Sequence, residues 1–252
     1  MPRYARSISK SGVYHVMLRG INRQTIFEDE EDMQKLLETI KKYKTISKYE
    51  IYAYCIMNNH VHLLIKELGE SISNVIKRIS SSYVFWYNKK YERCGHLFQE
   101  RFKSEAVESD EYFLTVLRYI HQNPVKAGIV KDISCYKWSS YSEYIDKEEI
   151  VDIDFALNMF STERKSSIEL YKSFNKQKNS DMCLEDEEKA RASDSEVKEY
   201  IKKLNVMDPK ELRQLEKSKR DEILKKLKLV NRVTIRQLSR MTGISKSVID
   251  RA

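Results

Sequence analysis

Residues 52–66 read YAYCIMNNHVHLLIK, and this stretch decides the fold. Tyr52–Met57 and Val61–Lys66 are short runs rich in β-formers, and Asn58-Asn59 between them is turn chemistry, so the pair reads as a β-hairpin. Upstream, Val13–Leu18 (VYHVML) alternates and ends at Gly20, the pattern of a strand. Between that strand and the hairpin, Glu28–Lys48 spaces Met33, Leu36, Leu37 and Ile40 as an amphipathic helix does. Downstream, Ile72–Tyr91 repeats the helical spacing with Ile72, Val75, Ile76, Ile79, Tyr83 and Trp86. Leu97–Val107 reads as a loop followed by a strand. Ser109-Asp110 offers an N-cap for a helix running to about Gln122, where Asn123-Pro124 is expected to stop it. The order is β-α-β-β-α-β-α. Its first six elements match the ferredoxin-like plan, an α+β fold with an antiparallel sheet and packed helices.

Composition narrows the function classes. The 252 residues are 41% hydrophobic and 33% charged, which is enough apolar content for a core and excludes wholesale disorder. With 6 Gly and 3 Pro, collagen-like and low-complexity architectures are also excluded. The uncharged stretch Ile51–Ile65 contains Asn58, Asn59, His60 and His62 and is shorter than the roughly 20 apolar residues of a membrane span. MPRYARSISK has no apolar core of a secretory signal. Cys55, Cys94, Cys135 and Cys183 form no C-x-x-C pair, so a reduced, cytoplasmic setting is expected.

The net charge of +8 is unevenly spread. Lys210–Ala252 holds 13 basic and 5 acidic residues, so this tail alone accounts for the excess. The expected partner is anionic, nucleic acid first, and no membrane is implied. The reading divides the chain into a first domain at 1–146, an acidic and polar spacer at 147–195, and a basic helical region at 196–252. Within the last, Ile235–Ile249 has the pattern of a helix-turn-helix: Ile235, Leu238, Ile244 and Ile249 as its core, Gly243 at the turn, and Ser245 as the second helix's N-cap. Lys246 and Arg251 would face DNA. An ordinary basic helical hairpin has the same pattern.

Two features can carry chemistry. His60 and His62 are two apart on a strand, so both imidazoles point to one face while Val61 and Leu63 point to the core. Paired neutral imidazoles suit a divalent metal completed by a third ligand, although two half-exposed structural histidines would look the same. Being on the solvent-facing side, either is expected to tolerate replacement by Ala. Activity resting on them should fall as pH drops towards about 6.5. The second feature is Tyr119-Ile120-His121-Gln122-Asn123-Pro124. Tyr119 and Asn123 share a helix face one turn apart, and Leu117 and Ile120 belong to another. A tyrosine hydroxyl beside a metal-bound phosphate can attack phosphorus, with an amide oxygen as third metal ligand. A packed tyrosine with a satisfied hydroxyl is the alternative. His121 points about 160° away from Asn123 and reads as structural or peripheral.

Together, H-x-H after Asn-Asn, Leu97–Lys103 (LFQERFK) and Arg118–Gly128 (RYIHQNPVKAG) resemble the single-tyrosine HUH transposases of prokaryotic insertion sequences. The likeness is closer to the REP-associated tyrosine transposases and their relatives, which the stretches Tyr14–Gly20 and Trp138–Tyr141 also fit. It covers about Met1–Tyr144. The resemblance implies that His60 and His62 bind Mg²⁺ or Mn²⁺ and that Tyr119 forms a 5′-phosphotyrosine link, freeing a 3′-OH. Asn123 takes the third-ligand position, where insertion-sequence members often carry Gln. It further implies single-stranded or hairpin DNA as partner, with Arg19, Arg23, Arg101 and Lys103 as candidate backbone contacts. A homodimer is one implied state.

The expected activity is therefore metal-dependent nicking and joining of single-stranded DNA, as in transposition and recombination. A domesticated, non-catalytic DNA-binding protein or regulator using the same fold is the alternative.

Overall fold

The computed structural model describes residues 8–99, 101–146, 148–184, 194–230, 233 and 235–252. Glu100 of the 97–103 motif, Lys147 at the expected domain boundary, and residues 185–193 of the expected spacer lie outside them. Two compact units are present, Met1–Leu184 and Glu185–Ala252, each with its own apolar cluster.

The first unit is built on a four-stranded antiparallel sheet of order β2-β3-β1-β4, where β1 is Val13–Arg19, β2 Tyr49–Met57, β3 His60–Glu67 and β4 Lys103–Ala106. Helix α1, Glu30–Ser47, joins β1 to β2, and α2, Ile72–Lys90, joins β3 to β4. This is the ferredoxin-like order expected from the sequence. The hairpin turns at Asn58-Asn59, and its pairing of Cys55 with His62 and Met57 with His60 sets which side chains share a face. Val61 and Leu63 are fully buried on one face with Tyr54 and Ile56. Side chains of this kind each contribute about 1.5–3 kcal/mol on burial. Helix α1 covers that face, and the Tyr49 hydroxyl donates to the Ile40 carbonyl at 2.6 Å. A capping box at Asp29, closed reciprocally with Asp32, starts α1. The Lys90 ammonium seals this helix start, 2.7 Å from Asp29 and 2.8 Å from Asp32.

The opposite face carries His60, His62 and Leu64 on β3 and His15, Met17 and Arg19 on β1, in register with Glu105 and Lys103 on β4. Helix α3, Asp110–Lys126, packs across it against β2 and β3. Ser109 accepts from the Tyr112 N–H and starts this helix. Its end differs from expectation. Pro124 sits inside the helix, which continues to Lys126. A proline costs its own N–H bond and nothing downstream, so the Ala127 N–H still reaches the Asn123 carbonyl at 2.9 Å. The chain turns only at Gly128, where φ is +70°. Asn123 is therefore held on a complete helical turn after Tyr119.

The expected boundary at 146 is also corrected. Ile150, Val151, Ile153, Ala156, Leu157 and Tyr171 are buried in the first unit's core. Helices α4 (Ile153–Asn158) and α5 (Arg164–Lys176) place these apolar residues inward and their charges outward, so the acidic average concealed the core face. Tyr171 stacks on Tyr144 with ring centres 4.5 Å apart and bonds His121 at 2.9 Å.

The second unit comprises α6 (Asp194–Lys203), α7 (Lys217–Leu229), α8 (Ile235–Thr242) and α9 (Lys246–Arg251). Leu238, Ile244 and Ile249 are buried, and Ile235 packs against them. Gly243 makes the turn at φ +71°. Ser245 occupies the N-cap position of α9 without a side-chain cap bond. Lys246 and Arg251 are exposed. No described helix is long and apolar enough to cross a membrane.

Candidate active site

Three chain segments meet at the histidine end of the sheet. The Gly20 N–H donates to the Asn59 carbonyl, the Ile21 N–H to the Leu97 carbonyl, and the Gln99 N–H to the Arg19 carbonyl, at 2.9, 2.9 and 2.8 Å. Gly20 is required for this closure, since a Cβ there would lie 2.4 Å from the Gln24 carbonyl.

His60 and His62 stand side by side as expected, ring centres 5.0 Å apart and nearly perpendicular. Their surroundings are not the solvent-facing ones read from the sequence. Helix α3 covers this sheet face, leaving His62 2% exposed and His60 half-buried. Burial, then the Arg19 charge, pushes the His60 pKa down to about 4. Burial, then the neighbouring His15 and His60, holds His62 well below the ordinary histidine value. Both imidazoles are neutral at neutral pH.

Each histidine uses Nδ1 within the protein. His60 Nδ1 lies 2.6 Å from Asn59 Oδ1, and His62 Nδ1 lies 2.9 Å from His15 Nε2. That leaves both Nε2 atoms to act as ligands. Behind them, His15 Nδ1 is 2.8 Å from Glu105 Oε1.

Tyr119 projects from α3 onto the same cluster. Its ring centre lies 5.8 Å from both His62 and His15. One turn on, Asn123 is half-buried and its amide nitrogen is enclosed without a hydrogen-bond partner. Rotating that amide would put the oxygen in the same place. Among the described residues, no group of three His, Cys, Asp or Glu is placed to hold a metal. Two neutral imidazoles and an amide are a donor set that fits a divalent ion if water fills the remaining positions. His121 takes no part: it is buried on the far side of α3 between Ser140 and Tyr171, both at 2.9 Å.

Around this centre Arg19 is half-buried beside His60 on the paired strand, and Arg23, Arg101 and Lys103 are exposed on the converging segments. Lys246 and Arg251 belong to the second unit.

Three residues escaped the sequence reading: His15, Glu105 and Lys126. The parity of β1 puts His15 with Met17 and Arg19, but only the β1–β3 and β1–β4 registers join it to His62 and Glu105. Lys126 was hidden because the helix was expected to end before it.

Residues 9–123 match the family described as IS200-like transposases. The REP-associated tyrosine transposase of Escherichia coli K12 is 26% identical over 145 residues, spanning 56% of this chain and 83% of that protein. A Haemophilus influenzae protein provisionally given the same name is 28% identical over 178 residues, spanning 63% of this chain and 95% of that one. Among solved structures, a REP-associated tyrosine transposase bound to a REP hairpin shares the fold, with TM-score 0.51 and 22% identity over 61% of this chain and 96% of that one. The stretch similar to the IS200-like transposases, residues 9–123, runs from just before the first strand to Asn123 on the tyrosine helix.

Proposed function

We propose that this protein nicks and rejoins single-stranded DNA, with Tyr119 as nucleophile. The observation that carries the reading is the placement of Tyr119 against His62, one helical turn from the enclosed Asn123 amide. The Tyr119 hydroxyl oxygen attacks a backbone phosphorus and gives up its proton. The bond from phosphorus to O3′ breaks, and the departing O3′ takes up a proton. The products are a 5′-phosphotyrosine link and a free 3′-OH. Attack of a 3′-OH on that link reverses the step and joins strands.

His60 Nε2, His62 Nε2 and the Asn123 amide would hold Mg²⁺ or Mn²⁺. When bound, such an ion stabilises the charge that builds up on the phosphoryl oxygens. Arg19, Arg23, Arg101 and Lys103 would contact the DNA backbone, which positions the strand without reading its sequence. Lys246 and Arg251 would add contacts from the second unit. The solved relative bound to a REP hairpin makes hairpin DNA the first substrate to try.

The test uses purified full-length protein, a panel of labelled hairpins with single-stranded flanks, and Mn²⁺. Wild type should give a protein–DNA adduct that survives denaturation, and Tyr119→Phe should give none while still binding the hairpins. Equal adduct from both proteins, or none from wild type across the panel, contradicts the proposal. Hairpin binding without any adduct would support the non-catalytic alternative.

A further inference from the structure

We infer that His15 and Glu105 are a positioning pair which fixes the tautomer of His62, so that its Nε2 lone pair faces the site. The inference rests on the metal-binding part of the reading above, but its geometry is independent of any cleavage step.

The chain of hydrogen bonds has one consistent polarity. Glu105 Oε1 lies 2.8 Å from His15 Nδ1 and also accepts from the Leu184 N–H at 2.9 Å. A carboxylate only accepts, so His15 Nδ1 carries the proton. Burial works to raise the Glu105 pKa, yet the His15 bond and the Leu184 N–H outweigh it and keep the group ionised. His15 is fully buried, where charging an imidazole would cost its hydration, so the ring is neutral and with Nδ1 protonated its Nε2 has a lone pair. His62 Nδ1, 2.9 Å away, must therefore be the donor. A neutral imidazole with hydrogen on Nδ1 presents Nε2 unprotonated. Without this chain, a buried imidazole would be free to carry its proton on Nε2 and close the ligand position.

His60 reaches the same state by a separate route. Asn59 Nδ2 donates to the Arg23 carbonyl at 3.2 Å, which orients the amide and leaves Oδ1 as the acceptor for His60 Nδ1 at 2.6 Å. Two unrelated networks thus leave both Nε2 atoms unprotonated. Ligating histidines commonly have the other ring nitrogen fixed in this way. The His62 network is the longer. It crosses the sheet from edge strand β4 through β1, where His15 pairs with Glu105, to β3.

The test needs no DNA. In ¹⁵N-histidine-labelled, metal-free protein at neutral pH, long-range ¹H–¹⁵N spectra should show His62 protonated at Nδ1, its signals assigned by their loss in His62→Gln. Calorimetric titration with Mn²⁺ should show binding about 10–100-fold weaker in His15→Phe, which keeps the ring but offers no acceptor. His15→Gln, whose Oε1 can accept from His62 Nδ1–H, should recover most of that loss. A role confined to packing predicts the opposite ranking, since Phe fills the space better than Gln. Wild-type His62 protonated at Nε2, or His15→Phe binding Mn²⁺ within about twofold of wild type, overturns the inference. If His15→Phe does not fold, the wild-type spectrum and His15→Gln still decide it. Protein with the expected tautomer and Mn²⁺ affinity but no cleavage would instead sink the proposed function and leave this inference standing.

Discussion

Lys126 Nζ lies 4.9 Å from the centre of the Tyr119 ring, two helical turns along the same face of α3. Its charge is steadied by the Asp181 carbonyl at 3.3 Å and Asn179 Oδ1 at 3.4 Å. In the proposed reaction a cation there favours both the ionised phenol and the incoming phosphate. Lys126→Met keeps most of the stem's packing and removes the charge. Adduct formation should slow about tenfold or more, while thermal stability changes little, because exposed charge contacts are worth at most about 1 kcal/mol. An unchanged rate would show that Lys126 only packs.

The two histidines should respond differently to replacement by Ala. His62 is buried against His15, so His62→Ala strands a buried polar ring and should cost about 1–3 kcal/mol. For a chain of this size that lowers Tm by several degrees, roughly 2–4 °C per kcal/mol. His60 is half-buried and among the described residues hydrogen-bonds to the neighbouring Asn59 alone, so His60→Ala should melt close to wild type. Both should lose Mn²⁺ binding. Calorimetry of the two variants separates the stability effect from the ligand effect.

Acid should destabilise the protein through its buried histidines. Burial holds His121 at about 3, against about 6.5 in the unfolded chain. Below 6.5 the unfolded chain takes a proton that the native state refuses. The stabilisation is complete above pH 6.5 and is lost as pH falls towards 3, by about 1.4 kcal/mol per pH unit for each such histidine. His15, His60 and His62 shift in the same direction. Urea titrations between pH 7 and 5 should show this slope, reduced by about one proton's worth in His121→Phe. Mn²⁺ binding should persist to about pH 5, not fade near 6.5, because His60 titrates near 4.

The sequence made the β-α-β-β-α-β-α order legible because each element has strong periodicity, and the hairpin's parity put His60 and His62 on one face. What it could not show was what covers that face. Parity distinguishes two sides of a strand but does not say which is wet, and here α3 buries one histidine that would otherwise be exposed. Glu105 and His15 are 90 residues apart in the chain and meet only through strand register. The α4–α5 segment reads as a spacer in the sequence because average charge conceals a narrow apolar stripe. Asn123-Pro124 suggested a helix end, yet a proline there leaves the following bonds intact.

Asn123 offers a stability-neutral probe of the site. Its amide nitrogen has no partner to lose, so Asn123→Ala should fold and melt like wild type. Mn²⁺ affinity should drop about tenfold or more, since the donor set shrinks to two imidazoles. Titration calorimetry checks this. Unchanged affinity would remove Asn123 from the ligand set.

Each unit has its own buried core, so a chain ending at Leu184 should keep its fold and the proposed cleavage of hairpin DNA. In the full chain, Lys246→Glu with Arg251→Glu should weaken DNA binding uniformly across sequences. It should also flatten the salt dependence by about one to two counterions. Filter binding across a salt series measures both.

The most direct measurement locates the covalent link. Wild-type protein is incubated with a hairpin oligonucleotide and Mn²⁺, treated with nuclease and trypsin, and examined by mass spectrometry. Trypsin cutting after Arg118 and Lys126 releases the peptide Tyr119–Lys126 (YIHQNPVK), which contains a single tyrosine. The account predicts this peptide carrying a 5′-nucleotide phosphate on Tyr119. Nucleotide on any other tyrosine-containing peptide, with this one unmodified, would contradict it.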